Sequence, residues 1–200
     1  MILLLEIEIK IQVSSENEQY LLSWLQKNAC FKGQILQREY YLDNPKNSWF
    51  LRHELGYRYA LKYLRVRFTK NGDFVCFKNW ETGEKPGEAG LFCKDIEYQV
   101  SSGEQAVMLF QSLGFTDITK FSKLRRAYHY HDFEISIDSV DGLGTFFEFE
   151  IKNRQYAQQA KEYHRLISFI ENDLKLSSYR VQKQGFIVLL WNLDFAFSEE

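Results

Sequence analysis

The segment ILLLEIEIKIQV, residues 2–13, alternates strictly between two kinds of side chain. Leu3, Leu5, Ile7, Ile9 and Ile11 fall on one face, and the other face holds Leu4, Glu6, Glu8, Lys10 and Gln12. A β-strand turns successive side chains to opposite faces, so this alternation predicts a strand with one buried face and one charged face. The segment decides the fold, because the same separation of apolar from charged side chains recurs along the chain.

Later segments sort their charges by sign. Arg65 and Arg67 share one face of a strand predicted over 61–69, opposite Leu64, Val66 and Phe68. Lys123 and Arg125 share a face of the strand predicted over 121–131. Acidic side chains are arranged in the same way at Asp95 with Glu97, at Asp138, and at Glu148 with Glu150. Paired basic and paired acidic positions are unlike the mixed charges of an ordinary solvated surface.

The remaining elements follow from turn and capping signals. Ser15 with Glu18, and Ser101 with Glu104, match the capping box and predict helices that end near Asn28 and Gly114. A third helix is predicted from Asn153 to about Leu174, and the tail 177–200 is predicted to hold a short helix and an irregular end. Further strands are predicted at 34–42, 49–52, 73–80, 93–100, 132–138 and 145–152, with an exposed loop at 81–90.

These elements predict an α+β fold that is mainly antiparallel β. About eight strands are enough to close a barrel with a usable interior, and the amphipathic helices would pack outside it. We therefore expect a closed eight-stranded β-barrel. The 200 residues fit a single domain, 1–200, with a barrel core over about 1–152 and a helical part over about 153–200.

Composition excludes several classes of protein. The net charge of −2 and the pI near 6.1 argue against a general nucleic-acid binder, which usually has a strongly basic surface. Cys30, Cys76 and Cys93 have no metal-binding spacing, and their odd number favours reduced thiols. No stretch is long enough to span a membrane, and the apolar start is too short for a signal peptide. These features predict a cytoplasmic protein.

The charged faces have two interpretations. In one, the sheet is amphipathic and the charges are solvated, which holds for most single strands of this kind. In the other, helices cover the apolar side and the charged side lines the interior. Buried charges of both signs are costly unless a ligand completes their pairing. Lysines and arginines suit phosphate oxygens, and clustered carboxylates suit Mg²⁺ or Mn²⁺, so a triphosphate with a metal ion would use both sets.

At five places in order, this chain resembles the CYTH superfamily, the triphosphate tunnel metalloenzymes. Its E-x-E-x-K motif is similar to Glu6–Lys10, its L-R-x-R strand to Leu64–Arg67, and its K-x-R motif to Lys123–Arg125. Lys78 lies where the family has an interior lysine. The run Ile137–Glu150 resembles the closing D-x-V-x-x-L-G-x-F-x-E-I-E motif and is most similar to the class IV adenylyl cyclase (CyaB-type) branch.

The resemblance implies roles for these positions. The phosphate-binding and catalytic residues would be Lys10, Arg65, Arg67, Lys78, Lys123 and Arg125. The ligands of Mg²⁺ or Mn²⁺, or their close supports, would be Glu6, Glu8, Asp138, Glu148 and Glu150. Glu97 would be a further interior carboxylate. The segment 48–59 matches no part of the family pattern.

The implied function is that of a metal-dependent enzyme acting on a triphosphate inside a charged tunnel. The branch favours an adenylyl cyclase, a lyase that converts ATP to cyclic AMP and pyrophosphate. The alternative is a hydrolase of inorganic, thiamine or nucleoside triphosphate, and a third option is a module that binds polyphosphate or nucleotide without turnover. The expected partner is ATP or a similar triphosphate, with no nucleic acid and no membrane. The sequence leaves open whether the protein forms a homodimer.

Overall fold

The computed structural model describes residues 4–60, 62–82, 89–153, 159–176 and 178–195. The strands are β1 Leu4–Gln12, β2 Cys30–Asp43, β3 Phe50–Arg52, β4 Arg58–Ala60, β5 Lys62–Thr69, β6 Gly72–Thr82, β7 Ala89–Val100, β8 Thr116–Tyr130, β9 Phe133–Val140, β10 Gly144–Asn153 and β11 Arg180–Val181. The helices are α1 Ser15–Asn28, α2 Gly103–Ser112, α3 Gln159–Ser168 and α4 Phe186–Trp191, and a π-helical turn, Phe169–Asp173, follows α3.

Nine strands form one antiparallel sheet in the order β10-β9-β8-β2-β5-β6-β7-β1-β11. The sheet curves so far that β1 also pairs with β10, over Leu5–Ile11 and Phe147–Asn153. The first strand of the chain therefore lies beside the strand that contains Glu148 and Glu150. This pairing brings sequence-distant charged segments together on one concave face.

The prediction of a closed eight-stranded β-barrel is wrong. Among the described residues, the ladder between β1 and β7 has three residue pairs, from Leu4 with Asp95 to Glu6 with Cys93. Further along, β10 still occupies one side of β1, and the other side pairs with β11 at Ile11 and Gln12. β7 therefore diverges from β1, and the ninth strand takes its place along that edge. The sheet is strongly curved but is not closed along the whole seam.

The two predicted helix starts are each displaced by one residue. The N-cap of α1 is Ser14, whose hydroxyl accepts a hydrogen bond from the Asn17 amide at 3.3 Å. The N-cap of α2 is Ser102, which accepts from the Gln105 amide at 3.2 Å. In both cases two serines are adjacent, so the sequence signal fits either one, and the backbone geometry selects the residue that precedes the first turn.

The main core lies on the outer, convex side of the sheet. The apolar face of β1, with Ile7, Ile9 and Ile11, packs in one cluster with Leu21 and Leu25 of α1. The apolar faces of β9 and β10 and the buried residues from Leu166 to Leu176 complete this cluster. Helices therefore cover the apolar side of these strands, as predicted. As a result, the charged side of the same strands faces the concave interior.

A second apolar cluster lies on the concave side. α4, predicted only as a short helix in the tail, packs Phe186, Ile187 and Leu189 against Tyr41 and Phe146 of the sheet. The segment before it is fixed because β11 pairs with β1 and the Gln182 amide donates to the Lys10 carbonyl at 2.7 Å. The C-terminal segment thus covers one end of the concave face.

The segment 48–59, which matches no part of the family pattern, forms most of the β3–β4 hairpin, and β3 lies within the strand predicted over 49–52. Asn192, just after α4, holds this hairpin: its side chain accepts from the Arg58 amide and donates to the Arg58 carbonyl, at 2.9 and 2.8 Å. The predicted loop 81–90 lies mostly outside the described residues, as do 154–158 of the third predicted helix. No helix in the described part of the chain is long and apolar enough to cross a membrane.

Candidate active site

Six charged side chains of the concave sheet surface, here called the charged face, are buried. Glu39 is 1% exposed, Lys123 3% and Asp138 0%. Lys10, Arg65 and Lys78 are also buried. A solvated amphipathic sheet would leave these groups in water, so that interpretation does not describe this part of the molecule. The interior interpretation of the charges does.

One half of the charged face is built around Asp138 on β9. Lys123 donates to Asp138 Oδ2 at 2.7 Å, and Arg125 Nε donates to Oδ1 at 2.7 Å. Arg125 also binds Glu148 on β10. Arg125 and Asp138 are opposite each other in the β8–β9 ladder, which fixes this contact. Three strands thus hold two cations and two carboxylates in one network.

The other half is built around Glu39 on β2. Arg67 Nε donates to Glu39 Oε1 at 3.0 Å, and Arg65 Nε lies 3.6 Å from Oε2. Arg67 also binds Glu97 Oε2 of β7 at 3.0 Å. One buried carboxylate therefore positions both arginines of the L-R-x-R strand. Their forked guanidinium groups suit phosphate oxygens.

Glu39 is a site residue that the sequence analysis missed. The signal was present in β2, where Gln37, Glu39 and Tyr41 are buried and alternate with the more exposed Arg38 and Tyr40. Glu39 stands between Arg38 and Tyr40 and has no acidic residue two positions away, so it is not part of a pair of like charges that would mark it in the sequence. Its opposite position to Arg67 in the β2–β5 ladder identifies it.

β1 and β6 contribute a third group. Lys78 Nζ lies 3.4 Å from Asp95 Oδ2 and 3.8 Å from Glu8 Oε2. In the β1–β10 ladder Glu8 is directly opposite Glu150, and Lys10 is opposite Glu148. Opposed carboxylates on neighbouring strands repel each other, because their Cβ atoms lie about 5 Å apart. The Glu8–Glu150 position therefore favours a bound cation.

The predicted metal ligands fall into two groups. Asp138 and Glu148 contact Arg125, whereas Glu8 and Glu150 oppose each other across the ladder. Glu6 lies in β1, and its side chain is outside the described part. Within the described residues, no group of three or more His, Cys, Asp or Glu side chains could hold a metal ion. Mg²⁺ is usually bound by one or two carboxylates together with substrate phosphates, and Glu8 with Glu150 fits that type of site.

Lys10 and Lys123 both contact Phe186 of α4. Their Nζ atoms lie 4.4 and 5.0 Å from the centre of the ring, within the range of cation–π attraction. The aromatic ring thus borders two of the predicted phosphate-binding residues. Phe186 is a site residue that could not be predicted, because the tail of the sequence shows no clear periodicity from which its position could be inferred.

The electrostatics of the site follow from burial and ion pairing. Burial alone would raise the pKa of Glu39, but Arg65, Arg67 and Lys123 outweigh it and hold this pKa at about 2. Burial would also raise the pKa of Asp138, but Arg125 and Lys123 bring it below its usual range. Burial and the neighbouring Arg125 lower the pKa of Lys123 to about 8, despite the Asp138 contact. The site thus holds ionised carboxylates, and Lys123 loses its proton at a lower pH than an ordinary lysine.

The low pKa of Glu39 predicts a loss of stability in acid. Protons bind the unfolded state more tightly, because the pKa of Glu39 is about 2 when folded and near 4.5 otherwise. Its contribution to the free energy of unfolding, about 3 kcal/mol by linkage, is present above pH 5 and is lost as the pH falls towards 2. Urea unfolding at several pH values measures this loss. The free energy of unfolding of the Glu39→Gln variant should fall less steeply with decreasing pH than that of the wild type. Equal wild-type stability at pH 5 and pH 3 would contradict the assignment.

Cys76 also lies on the charged face and does not resemble a nucleophile. Its Sγ is buried and donates to Glu97 Oε2 at 2.9 Å. Burial raises the pKa of this thiol to about 12, outweighing the two arginines. The reactive form of a cysteine is the thiolate, so covalent catalysis by Cys76 is disfavoured.

Comparison with known proteins agrees with this geometry. The CYTH domain family matches residues 4–180. A curated protein of Methanocaldococcus jannaschii, "Putative adenylate cyclase MJ0240", is 25% identical over 186 residues, which cover 93% of this chain and 98% of that protein.

Solved structures share the fold. The PH1012 protein from Pyrococcus horikoshii has a TM-score of 0.67 at 23% identity, covering 91% of this chain and 97% of that one. HpAC1 from Hippeastrum, described as a "putative adenylyl cyclase" with a dominant triphosphatase activity, has a TM-score of 0.61 at 15% identity. That match covers 93% of this chain and 94% of HpAC1. Because the family match spans most of its length, this chain belongs to the CYTH domain family.

Proposed function

We propose that this protein is a metal-dependent enzyme that acts on a triphosphate at the charged face, and that its reaction is the conversion of ATP to cyclic AMP and pyrophosphate. One observation is the main support: buried Lys10, Arg65, Lys78 and Lys123 share one face of the curved sheet with Arg125 and with carboxylates. Such a surface is costly to form unless a polyanion uses it.

The basic residues would bind the phosphate chain. Arg65 and Arg67 are held by Glu39, and Lys123 and Arg125 by Asp138, so both pairs are positioned before substrate arrives. Positioned cations in a buried site stabilise charge that develops on phosphate oxygens and cost little reorganisation. The two halves of the face would thus hold different parts of one triphosphate.

Glu8 and Glu150 would hold Mg²⁺ or Mn²⁺. The bound ion would neutralise negative charge on the phosphate oxygens. Lys78, which lies 3.8 Å from Glu8, would take part of the carboxylate charge until substrate and ion are present.

Cyclisation requires positioning more than a covalent nucleophile. The ribose 3′-oxygen forms a bond to the α-phosphorus, the bond from that phosphorus to pyrophosphate breaks, and the hydroxyl proton passes to solvent water. The developing charge on pyrophosphate falls on the same oxygens that the arginines and lysines would bind. The related protein of M. jannaschii, whose name is that of a cyclase, supports this reaction.

Hydrolysis is the second candidate, supported by the triphosphatase activity named for HpAC1. In that reaction a water oxygen attacks the γ-phosphorus, and the bond to the β-phosphate bridge breaks. The same cations would stabilise the leaving group. The charged face serves both reactions, so the position of the organic group relative to the attacking oxygen decides between them.

The test is a product analysis. The purified protein is incubated with ATP and Mg²⁺ or Mn²⁺, and cyclic AMP with pyrophosphate is separated from ADP with phosphate. Inorganic and thiamine triphosphate belong in the same panel. We expect cyclic AMP and pyrophosphate. If ADP and phosphate were the only products, the protein would be a hydrolase and not a cyclase. If it bound the triphosphates without forming any product, it would be a triphosphate-binding module.

A further inference from the structure

Gln37 is a buried polar side chain of the charged face that takes no part in the ion-pair network described above. Gln37 on β2 is 6% exposed, and its Oε1 is buried without a hydrogen-bond partner. In the ladders it is opposite Lys123 on one side and Thr69 on the other, and Glu39 follows on the same face. Gln37 therefore lies between the two halves of the charged face.

An unpaired buried acceptor lowers stability, so its presence calls for an explanation. The cations of the face suit the oxygens of phosphate, and its carboxylates suit the positive charge of a metal ion. A fully ionised triphosphate chain has no hydrogen to donate to an amide oxygen. A hydrogen-bond donor of the ligand, an O–H or N–H, would satisfy Gln37 Oε1.

We propose that Gln37 is a specificity-determining residue that accepts a hydrogen bond from a ribose hydroxyl of a nucleoside triphosphate. This inference rests on the proposed function and narrows its substrate class to nucleotides over inorganic triphosphate. A site built to accept from a hydroxyl discriminates against analogues that lack it, because the buried acceptor is then left unpaired. The neutral amide adds this selection without disturbing the charge balance beside Lys123.

The experiment compares wild-type protein with Gln37→Met, which keeps the side-chain length and removes the amide. Calorimetric Kd values are measured with Mg²⁺ and ATP, 2′,3′-dideoxy-ATP or inorganic triphosphate. We expect Gln37→Met to raise the Kd for ATP about fivefold, which corresponds to the loss of one neutral hydrogen bond. The Kd values for the other two probes should change less than twofold. Gln34→Met, an exposed position on the same strand, is the matched control and should match wild type.

Thermal unfolding of the ligand-free protein gives an independent readout. Because the unpaired acceptor is removed, Gln37→Met should melt about 3 °C higher than wild type. Should it fail to fold, Gln37→Leu serves the same purpose. A lower melting temperature in the folded variant would show that the amide is bonded in the free protein and would overturn the inference.

The outcomes separate this inference from the proposed function. Equal losses for ATP and inorganic triphosphate, or unchanged ATP binding, would overturn the role of Gln37 while leaving triphosphate binding intact. If wild-type protein bound none of the three probes, the proposed function would fail, and the inference with it. A loss confined to ATP supports both.

Discussion

Replacing Glu8 by glutamine is expected to reduce turnover of the triphosphate substrate by about a thousandfold, the loss of several kcal/mol of charge stabilisation. Glu8 is opposite Glu150, and the substitution keeps the size of the side chain while it removes half of the proposed ion-binding pair. The fold should survive, because the change also removes repulsion between two opposed carboxylates.

Steady-state kinetics over a range of Mg²⁺ concentrations measure this effect, with melting temperature as the check on folding. Glu16→Gln, an exposed position in α1, is the control and should behave as wild type. Full activity of Glu8→Gln in limiting Mg²⁺ would show that this carboxylate does not hold the ion. A large fall in melting temperature would instead assign Glu8 a structural role through Lys78.

Replacing Arg125 by alanine should lower both stability and turnover. Arg125 binds Asp138 and Glu148, so its removal leaves two buried carboxylates with Lys123 as a partner for only one of them. Breaking a buried ion pair from one side costs about 3–5 kcal/mol, which corresponds to a fall of about 10 °C in melting temperature. Loss of the phosphate contact should lower kcat/KM by about ten- to a hundredfold.

Arg126→Ala is the matched control, because Arg126 is adjacent in β8 and on the opposite face of the sheet. Its melting temperature should change by only a few degrees and its turnover should not change. ATP should protect wild-type protein against thermal unfolding and protect Arg125→Ala much less. Wild-type protection and turnover in Arg125→Ala would remove Arg125 from the proposed binding site.

The sequence predicted most elements of the sheet because period-two alternation is a local signal. The strand containing Arg65 and Arg67, predicted over 61–69, is observed as Lys62–Thr69. The helix predicted through Asn28 ends there. The basic and acidic pairs on one face were also readable, because strand geometry alone fixes which side chains share a face.

Whether the sheet closes into a barrel could not be predicted from local alternation. It depends on how far two edge strands diverge, and the short strand Arg180–Val181, which occupies the edge of β1, has no pattern of its own. For the same reason Phe186 escaped notice, since its role comes from contact with Lys10 and Lys123 across the fold. Glu39 is intermediate: its strand was predicted, but its importance appears only in the β2–β5 register.

The pairing of the first strand with β10 has a consequence for how the chain is made. During synthesis Ile7 emerges long before its partner Ile151 and the strand Arg180–Val181. Until then β1 exposes an apolar face and unpaired backbone groups, which is a risk for aggregation. Such long-range contacts also slow folding, to milliseconds or seconds for sheet-rich domains. Substitutions that weaken β10 should therefore reduce the yield of soluble protein more than their effect on equilibrium stability would indicate.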